Sequence, residues 1–505
     1  MVVALFFGAN FAEAQTVFNI QNYGARGDGK TMDTKAINDA IIACNKSGGG
    51  TVYFPSGTYV SGSIQLLSNV TLHLENGSKL LASPNLSDYD DIGLVSEYRS
   101  TAFIWAKDEH NINVTGHGVI DGNDMAFYDP QVLGPEWFVD YRRVRQGNDF
   151  KVRFPDGPLQ ESERPGMLMI FIGCEYLNFE GITVQNAPNW NIHLACCKYA
   201  DFNNVKILNS LLVPNASGLD ISQSQHVHVS GCTIIAGDDG IAISPCADGF
   251  CTGEASDVTV TNCTIESRSA GIRLGWAQNP IRNCIFQNLV LKSNRGILIN
   301  ARQEESIENI IFSDIVINTR LHSGWWGKAE PIHISQIPLD TTYYQSDEIE
   351  SSINNIRFSN IIINSESGIL LYAHNKNTIR DIYFNDVNMT ISQGRFEAFS
   401  GGNFDLRPAF DNRFSVFAHD IPAFYFKGVK NLNVTGLDVS WTDAMPKYYS
   451  SAIYGEDFQG FKLNQSALSV HKGSDAPLIH LKNGRGVDLD KKPQSIKLEN
   501  VQEQK

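Results

Sequence analysis

Positive charge and long apolar runs are both scarce in this chain. Of its 505 residues, 40 are lysine or arginine and 55 are aspartate or glutamate, giving a formal net charge of −15. No basic stripe is present, which argues against binding to duplex nucleic acid. No stretch after the start of the chain is long and apolar enough to span a membrane. An anionic sugar remains compatible with this composition, because a few local arginines can outweigh distant negative charge.

Signals for metal and cofactor chemistry are missing as well. The nine cysteines form no CxxC pair and no His/Cys cluster, so neither a metal site nor a cofactor is predicted. Cys246 and Cys251 flank a short loop that a disulfide could close. Recurring strand segments contain Cys232, Cys263 and Cys284, where a thiol fills the core as a small apolar group.

The start of the chain is typical of a shortened signal peptide. Val2 to Phe11 form an apolar stretch, and Ala12-Glu13-Ala14 matches an A-x-A cleavage signal. We therefore predict a signal peptide over residues 1–14, a single domain over residues 15–505, and a secreted or periplasmic protein. A buried first strand is the alternative interpretation.

One amphipathic helix precedes a long series of strands. Ile37, Ala40, Ile41 and Cys44 share one helical face, and an Asp-Thr pair precedes them as a potential cap. From residue 60 onward the chain consists of short strand patterns broken by Asn, Gly, Ser and Asp. A single helix ahead of many strands is typical of a cap on a solenoid, since an uncapped end exposes edge strands and core.

The strands share a recurring pattern: apolar, any, small or polar, apolar, any, apolar. Copies begin at Phe179, Phe202, Val229, Val260, Phe286, Phe312, Phe358, Phe384 and Val434. Most are 23 to 31 residues apart, with two longer gaps of 46 and 50 residues. A period in the twenties with strand alternation indicates an all-β fold, a right-handed parallel β-helix. A β-sandwich is disfavoured, because its strands need not share one pattern.

Two long inserts interrupt the repeat, at residues 129–165 and 395–425. The first contains Trp137 and an arginine-rich stretch, and the second contains several phenylalanines around Arg407 and Arg413. Long loops on a solenoid usually build the walls of a binding groove, so we expect them to flank a site. A packed loop without a ligand is the alternative.

Acidic residues are concentrated in two strand-like segments. Asp220 lies in Ser217–Ser222, and Asp238 and Asp239 lie in the segment that ends at Ser244. A carboxylate pair beside a third carboxylate can supply the proton donor and the water activator of glycoside hydrolysis. We therefore predict that these three aspartates are catalytic. The alternative is a turn whose carboxylates bind backbone amides.

The chain resembles glycoside hydrolase family 28, the polygalacturonase family. The matching segments, besides the capping helix, are Tyr23–Gly29, Thr51–Tyr59, Val70–Glu75, Trp190–His193, Asn215–Asp220 and Asp238-Asp239. The resemblance implies inverting hydrolysis of glycosidic bonds in a pectin-like polysaccharide. It also implies that Asp238 is the general acid and Asp239 one of the water-activating aspartates, with Asp220 assisting.

Four positions of the family signature differ in this chain. Ser217 replaces an aspartate, Ala270 replaces a histidine, and Leu298 and Asn300 replace the arginine and lysine that hold the substrate carboxylate in the family. These replacements favour a different terminal sugar, such as a neutral, rhamnose-containing or sulfated residue. The inserts are compatible with exo action, because they could close one end of a groove.

Successive coils stack about 4.8 Å apart, and this stacking predicts which side chains replace the missing arginine and lysine. One predicted column is Ser217, Asp239, Ala270, Arg295, Glu330 and Ser367, and the other is Asp220, Ala242, Arg273, Leu298, His333 and Leu370. Arg273 is thereby predicted to stand in for the missing arginine. The predicted substrate-binding residues are Arg273, His333, Glu330, Trp326, Lys328, Arg302 and His193.

Alternative roles remain for several of these residues. Arg273 could pair with a neighbouring glutamate, Glu330 and His333 could pair with each other, and His193 could be a satisfied histidine at a strand end. Two other functions also remain open: a β-helix polysaccharide lyase, which needs an arginine or lysine base and commonly calcium, and a non-catalytic carbohydrate-binding protein. We expect a monomer without a nucleic-acid partner.

Overall fold

The computed structural model describes most of the chain in thirteen ranges. They are residues 16–96, 99–132, 158–160, 162–244, 253–276, 279–302, 304–322, 325–337, 350–394, 403–406, 416–442, 445–491 and 493–503. The predicted signal peptide, the Cys246–Cys251 loop and most of both predicted inserts lie outside these ranges. No helix within the ranges has the length and apolarity needed to cross a membrane.

The strands form two long sheets that wind around one core and are parallel except where Asp91–Ser96 pairs antiparallel with Arg99–Lys107. The first contains Val17–Asn19, Asp28–Met32, Gly50–Phe54, Gly57–Ser61, Val70–Leu74, Ser78–Ala82, His110–Gly116, Val119–Asp121, Glu175–Glu180, Thr183–Gln185, Lys198–Asn203, Lys206–Leu208, Gln225–Ser230, Thr233–Ala236, Ala255–Thr261, Thr264–Ser267, Ile281–Ser293, Ser306–Thr319, Ser352–Ser365, Ile379–Ile391, Lys430–Trp441, Gln459–Asn464, Arg485–Leu489 and Gln502–Glu503. Its strands pair in parallel from coil to coil, as the recurring pattern requires.

The second sheet carries four of the predicted site residues, His193, Asp220, Arg273 and His333. It contains Ile64–Gln65, Asp91–Ser96, Arg99–Lys107, Met167–Ile172, Ile192–Ala195, Leu219–Ser222, Ile241–Ile243, Ala270–Gly275, Arg295–Ala301, Ile332–Gln336, Ile369–Ala373, Phe424–Lys427, Ile453–Glu456, Ile479–Lys482 and Ile496–Glu499. Within the second predicted insert, Asn403–Asp405 and Val416–Ala418 form a small antiparallel pair. Short 3₁₀ helices span Ile20–Tyr23, Leu86–Asp88 and Asp124–Ala126. The fold is the predicted right-handed parallel β-helix.

The predicted capping helix spans Thr34–Lys46 and buries one apolar face. Asp33 occupies the N-cap position, but its side chain does not cap the helix. Its carboxylate instead accepts hydrogen bonds from the backbone N–H groups of Arg26 and Gly27, at 2.8 and 3.1 Å. Asp33 therefore ties the helix start to the preceding turn.

The recurring phenylalanines stack inside the solenoid. Ring centroids are 4.9 Å apart for Phe286 and Phe312, 5.1 Å for Phe312 and Phe358, and 4.7 Å for Phe358 and Phe384. Identical residues on successive rungs therefore form a continuous column, which gains both apolar burial and ring stacking. The predicted core thiols Cys232, Cys263 and Cys284 are likewise buried and free.

Asp124 provides a test of stability near the N-terminal coils. Its side chain is buried: Oδ1 accepts a hydrogen bond from the Met125 N–H, and Oδ2 has no hydrogen-bond partner within the described ranges. Burial, with a smaller contribution from the negative charge of Asp121, raises the pKa of Asp124 to about 6. The folded state thus binds this proton more tightly than the unfolded state, so stability falls as pH rises from about 4 to about 6.

Asp124→Asn should therefore stabilise the protein at pH 8, where the buried carboxylate is charged, by about 1–3 kcal/mol. At pH 4.5 the wild-type side chain is mostly protonated, and the difference should nearly disappear. Thermal unfolding followed by circular dichroism at both pH values measures this. If Asp124→Asn were equally destabilised at both pH values, the buried charge of Asp124 would not be the cause of the stability difference.

Candidate active site

The pairing register places the predicted site residues on successive rungs of the second sheet. Asp220 pairs with Ala242, Ala242 with Arg273, Arg273 with Leu298 and Leu298 with His333. The second predicted column is therefore confirmed. In the first column, Ala270 pairs with Arg295, and the backbone bonds Gly218 N–Asp239 O and Gly296 N–Glu330 O continue the stack.

A pocket opens on this face of the solenoid. It is lined by Trp190, Asn215, Ser217, Asp238, Asp239, Ser269, Arg273, Trp276, Arg295, Leu298 and Trp326. Of the predicted site residues, Asp238, Asp239, Arg273 and Trp326 line it. Asp220 is fully buried. Within the described ranges no three His, Cys, Asp or Glu side chains form a group suited to a metal ion.

Arg273 is the charge around which the three aspartates meet. Its Nε donates to Oδ2 of Asp239, and its Nη1 donates to the Gly275 carbonyl at 3.0 Å. Burial alone would lower the pKa of Arg273, but the negative charges of Asp239, Asp220 and Asp238 raise it. Of the three predicted catalytic carboxylates, Asp239 thus contacts the guanidinium directly, and the charges of Asp220 and Asp238 act on it from nearby.

Local backbone contacts hold the aspartate pair in place. The Ala270 N–H donates to Oδ1 of Asp239 at 3.0 Å, and Ser267 Oγ donates to the Asp238 carbonyl at 2.6 Å. The next residue, Gly240, is packed so closely that a Cβ there would overlap Ile265 and the Gly271 carbonyl. Glycine thus permits the tight turn from the aspartates into the following strand.

Two stacked tryptophans form one edge of the pocket. The rings of Trp276 and Trp326 have centroids 5.7 Å apart and planes at 15°. Both are half-buried, whereas Trp325 is buried. Trp276 has φ of 118°, in the left-handed region that non-glycine residues rarely adopt. A flat apolar edge of this kind suits the face of a sugar ring.

The two predicted histidines lie beneath the pocket instead of in it. His193 is fully buried, its Nε2 lies 3.0 Å from Ser222 Oγ, and burial lowers its pKa to about 3. His333 is also fully buried, with Nε2 2.9 Å from Ser335 Oγ. Its pKa is lowered well below the usual value by burial and by nearby arginines. Neither ring is among the residues that line the pocket, and both are neutral. Contact of either ring with substrate stays a prediction.

Glu330 belongs to a buried network with Arg295 and Asp405. Its Oε2 lies 3.8 Å from Arg295 Nε and accepts the Lys328 N–H at 2.7 Å, while its Oε1 accepts the Asp405 N–H at 2.7 Å. Arg295 Nη2 donates to the Asp405 carbonyl at 2.7 Å. Burial raises the pKa of Glu330 even though Arg295 opposes this. Glu330 pairs with Arg295 rather than with His333, and it is not part of the pocket lining.

The side chains of Arg302 and Lys328 are also buried and do not line the pocket. Arg302 is fully buried and donates to the carbonyls of Leu406 and Ile337 at 3.0 and 3.3 Å. Lys328 is 3% exposed. Contact of these two side chains with substrate stays a prediction. Arg302 fastens the segment 403–406 to the sheet.

Several pocket residues were not predicted from the sequence. Trp190, Trp276 and Arg295 line the pocket but were not predicted as site residues. Arg295 stood in the predicted column next to Ala270, and Trp276 follows the strand of Arg273 directly. Their positions on the same coils as the predicted site were the signal that could have identified them.

Comparison with known proteins gives family matches along most of the chain. A profile described as glycosyl hydrolases family 28 matches residues 146–400, just over half of the 505 residues. Another, described as rhamnogalacturonase A/epimerase, pectate lyase-like, matches residues 17–115.

Two curated relatives match part of their own length. The exo-poly-alpha-D-galacturonosidase of Dickeya chrysanthemi is 29% identical over 342 residues, which cover 62% of this chain and 52% of that protein. The probable polygalacturonase of Vitis vinifera is 27% identical over 238 residues, which cover 45% of this chain and 43% of that protein. This chain thus spans about half the length of these relatives.

Solved structures share the fold. The family 28 exopolygalacturonase of Yersinia enterocolitica superposes with a TM-score of 0.62 at 18% identity, covering 88% of this chain and 79% of that one. The polygalacturonase of Erwinia carotovora superposes with a TM-score of 0.57 at 17% identity, covering 75% of this chain and 94% of that one. With the family profile matched over half of its length, this chain belongs to glycosyl hydrolase family 28.

Proposed function

We propose that this protein hydrolyses glycosidic bonds in a galacturonate-containing, pectin-type polysaccharide. The observation that carries the proposal is that Asp238, Asp239 and Arg273 line one pocket edged by stacked tryptophans, with Asp239 bound to Arg273 and Asp220 buried nearby. Membership of family 28 and the names of the curated relatives support the same substrate class.

Each acidic residue has a distinct part in the proposed reaction. Asp238, the most exposed of the three, donates a proton to the glycosidic oxygen as the bond to the leaving sugar breaks. Asp239, held by Arg273, accepts a proton from the water that attacks the anomeric carbon, and Asp220 adds negative charge behind it. Attack from the face opposite the leaving group gives inversion, which the family resemblance implies.

A lyase reaction is less well supported by the cationic groups at the pocket. That chemistry needs an arginine or lysine that can accept a proton. Arg273 is bound to Asp239 and its pKa is raised, and Arg295 lies between two carboxylates. Arg273 is thus held in its charged form, which is unsuited to a base, and Arg295 is engaged by the carboxylates of Glu330 and Asp405.

Exo action is part of the proposal. Asp405 and Leu406 belong to the second insert. Their backbone carbonyls accept hydrogen bonds from Arg295 and Arg302, which lie on the coils that follow the aspartates. An insert in this position would obstruct a polymer that runs along the sheet. Chromatography of the early products should then show short sugars released from long chains, whereas a random mixture of intermediate lengths would indicate endo action.

The substrate is tested by incubating the protein with pectic and sulfated algal oligosaccharides and measuring new reducing ends. Release from oligogalacturonate supports the proposal, and release only from other sugars would redirect it. Export, proposed from the apolar start and the Ala12-Glu13-Ala14 signal, is tested by N-terminal sequencing of the protein recovered outside the cytoplasm. A monomer stays the prediction for the assembly.

Trp326→Ala should raise KM about tenfold with a smaller effect on kcat. A ring that stacks on a sugar contributes on the order of 1–2 kcal/mol of binding free energy, and each 1.4 kcal/mol is tenfold in affinity. Tyr176→Ala is the matched control, since Tyr176 and Tyr199 form a comparable stacked pair on the other sheet, 5.1 Å between centroids. Equal KM changes in both variants would show that Trp326 has no contact with substrate.

A further inference from the structure

We propose that Arg295 recognises the carboxylate of a sugar bound in the pocket, which rests on the proposed function. It would take the role of the arginine and lysine that Leu298 and Asn300 replace. The substrate class at this subsite is then a uronic acid in its free-acid form, instead of the neutral sugar that those replacements favoured.

Arg295 combines complete burial with an unsatisfied donor. Its side chain is 0% exposed, yet it lines the pocket. Nη2 donates to the Asp405 carbonyl at 2.7 Å, and Nε faces the Glu330 carboxylate at 3.8 Å. Nη1 has no hydrogen-bond partner among the described residues. Buried donors are nearly always paired, and an unpaired one is costly, so a ligand oxygen is the partner we infer for Nη1.

The other guanidinium of the pocket, that of Arg273, binds a catalytic carboxylate through one of its nitrogens and a backbone carbonyl through another. Arg273 donates to Asp239 through Nε and to the Gly275 carbonyl through Nη1. Its position among three aspartates suits it to hold the catalytic carboxylates and not an anionic substrate group. Arg295 differs from Arg273 in that its Nη1 donor is buried without a hydrogen-bond partner among the described residues.

The position of Arg295 also suits a sugar adjacent to the catalytic acids. Arg295 pairs with Ala270, and Asp239 lies one rung further, so two rungs separate them. At about 4.8 Å per rung the backbones are about 10 Å apart. A sugar ring can fill the space between a proton donor and a guanidinium at this separation. Leu298, which replaces the arginine of the family signature, lies on the same strand as Arg295, Arg295–Ala301. Arg295 therefore places a positive charge on the strand where the family has its arginine.

The surrounding network fixes the guanidinium in advance. Glu330 and Asp405 hold it from two sides, with the closest carboxylate contact to Asp405 at 3.5 Å. A planar guanidinium that is already ordered loses little freedom when it binds a carboxylate, and the resulting bond is charge-assisted. Burial also raises the pKa of Glu330, which reduces the negative charge that would oppose an acidic sugar.

The test measures binding, so that it does not depend on turnover. Affinities for trigalacturonate and for its fully methyl-esterified form are measured by titration calorimetry in an Asp238→Asn background, where cleavage is blocked. We expect the parent to prefer the free acid, and Arg295→Gln to lower affinity for the acid about 30–100-fold with little change for the ester. Arg295→Lys, which keeps the charge, should retain part of the preference and serves if the glutamine variant does not fold.

Asp405→Asn is the matched control, because it disturbs the same buried network and leaves the guanidinium present. It should weaken binding of acid and ester by the same factor. A parent without preference for the acid, or an Arg295→Gln variant that loses acid and ester affinity equally, overturns the assignment. Reducing-end release by the wild-type protein is measured separately, so a failure of the hydrolase proposal remains distinguishable from a failure at Arg295.

Discussion

Asp238→Asn should reduce hydrolysis of oligogalacturonate about 10³-fold or more, because an amide cannot donate the proton that the leaving sugar needs. A positioned general acid typically contributes 10²- to 10⁴-fold, and no other predicted carboxylate is as exposed in the pocket. The backbone of Asp238 is fixed by Ser267 independently of its side chain. The substitution should therefore leave folding intact.

The measurement is kcat from reducing-end release, with circular dichroism melting as the check on folding. Asp201→Asn is the matched control, since Asp201 is exposed on the outer face of the other sheet. That variant should retain full activity. Turnover by Asp238→Asn at the wild-type rate would refute the role of Asp238 as the general acid.

Arg273→Gln should lower kcat by about 10²-fold and move the acidic limb of the pH–rate profile to higher pH. Without the guanidinium, the buried carboxylate of Asp239 loses its cationic partner, which favours its protonated form. The water-activating carboxylate is then protonated over a wider acidic range, so activity is lost at a higher pH than in the wild type.

Arg273→Gln should also be less stable than the wild type, by an amount that depends on pH. Removing one partner of a buried ion pair leaves an uncompensated charge, which costs about 3–5 kcal/mol. The cost should be largest at neutral pH and should shrink in acid, where the carboxylates are protonated. Arg273→Lys should recover part of both effects. An unchanged pH profile in Arg273→Gln would show that Arg273 does not act on the catalytic carboxylates.

The column of site residues could be predicted because a β-helix repeats one register. Aligning Asp220 with Ala242, Arg273 and Leu298 needed only the recurring pattern, since each coil places equivalent residues above one another. The same register places Arg273 two rungs from Asp220, on the coil after the Asp238-Asp239 pair. Strand alternation therefore determined both the face and the order of these side chains.

How deeply each side chain is buried could not be predicted from strand alternation. His333 and Arg302 occupy the coils after the aspartates, where an outward position was expected to reach a ligand. In the structure, Arg302 is buried beneath Leu406, a residue more than a hundred positions later in the chain. A one-dimensional pattern gives the face of a strand but not which distant segment covers it.

Residues at the ends of strands were missed for a related reason. Trp276 lies at a turn with a positive φ, where strand periodicity gives no direction for the side chain. Its stacking on Trp326 depends on the turn that follows a different coil. Arg295 was assigned to the correct column, but its unsatisfied Nη1 emerges only from the positions of Glu330 and Asp405.

The most direct measurement is a proton NMR time course of a short α-linked oligogalacturonate mixed with the wild-type protein. We predict that the first product signal is the β-anomer of a new reducing end, followed by slow mutarotation, because water activated by Asp239 attacks opposite the sugar that Asp238 protonates. An α-anomer as the first product, vinyl signals of an unsaturated uronide, or an unchanged spectrum would contradict the proposed active site.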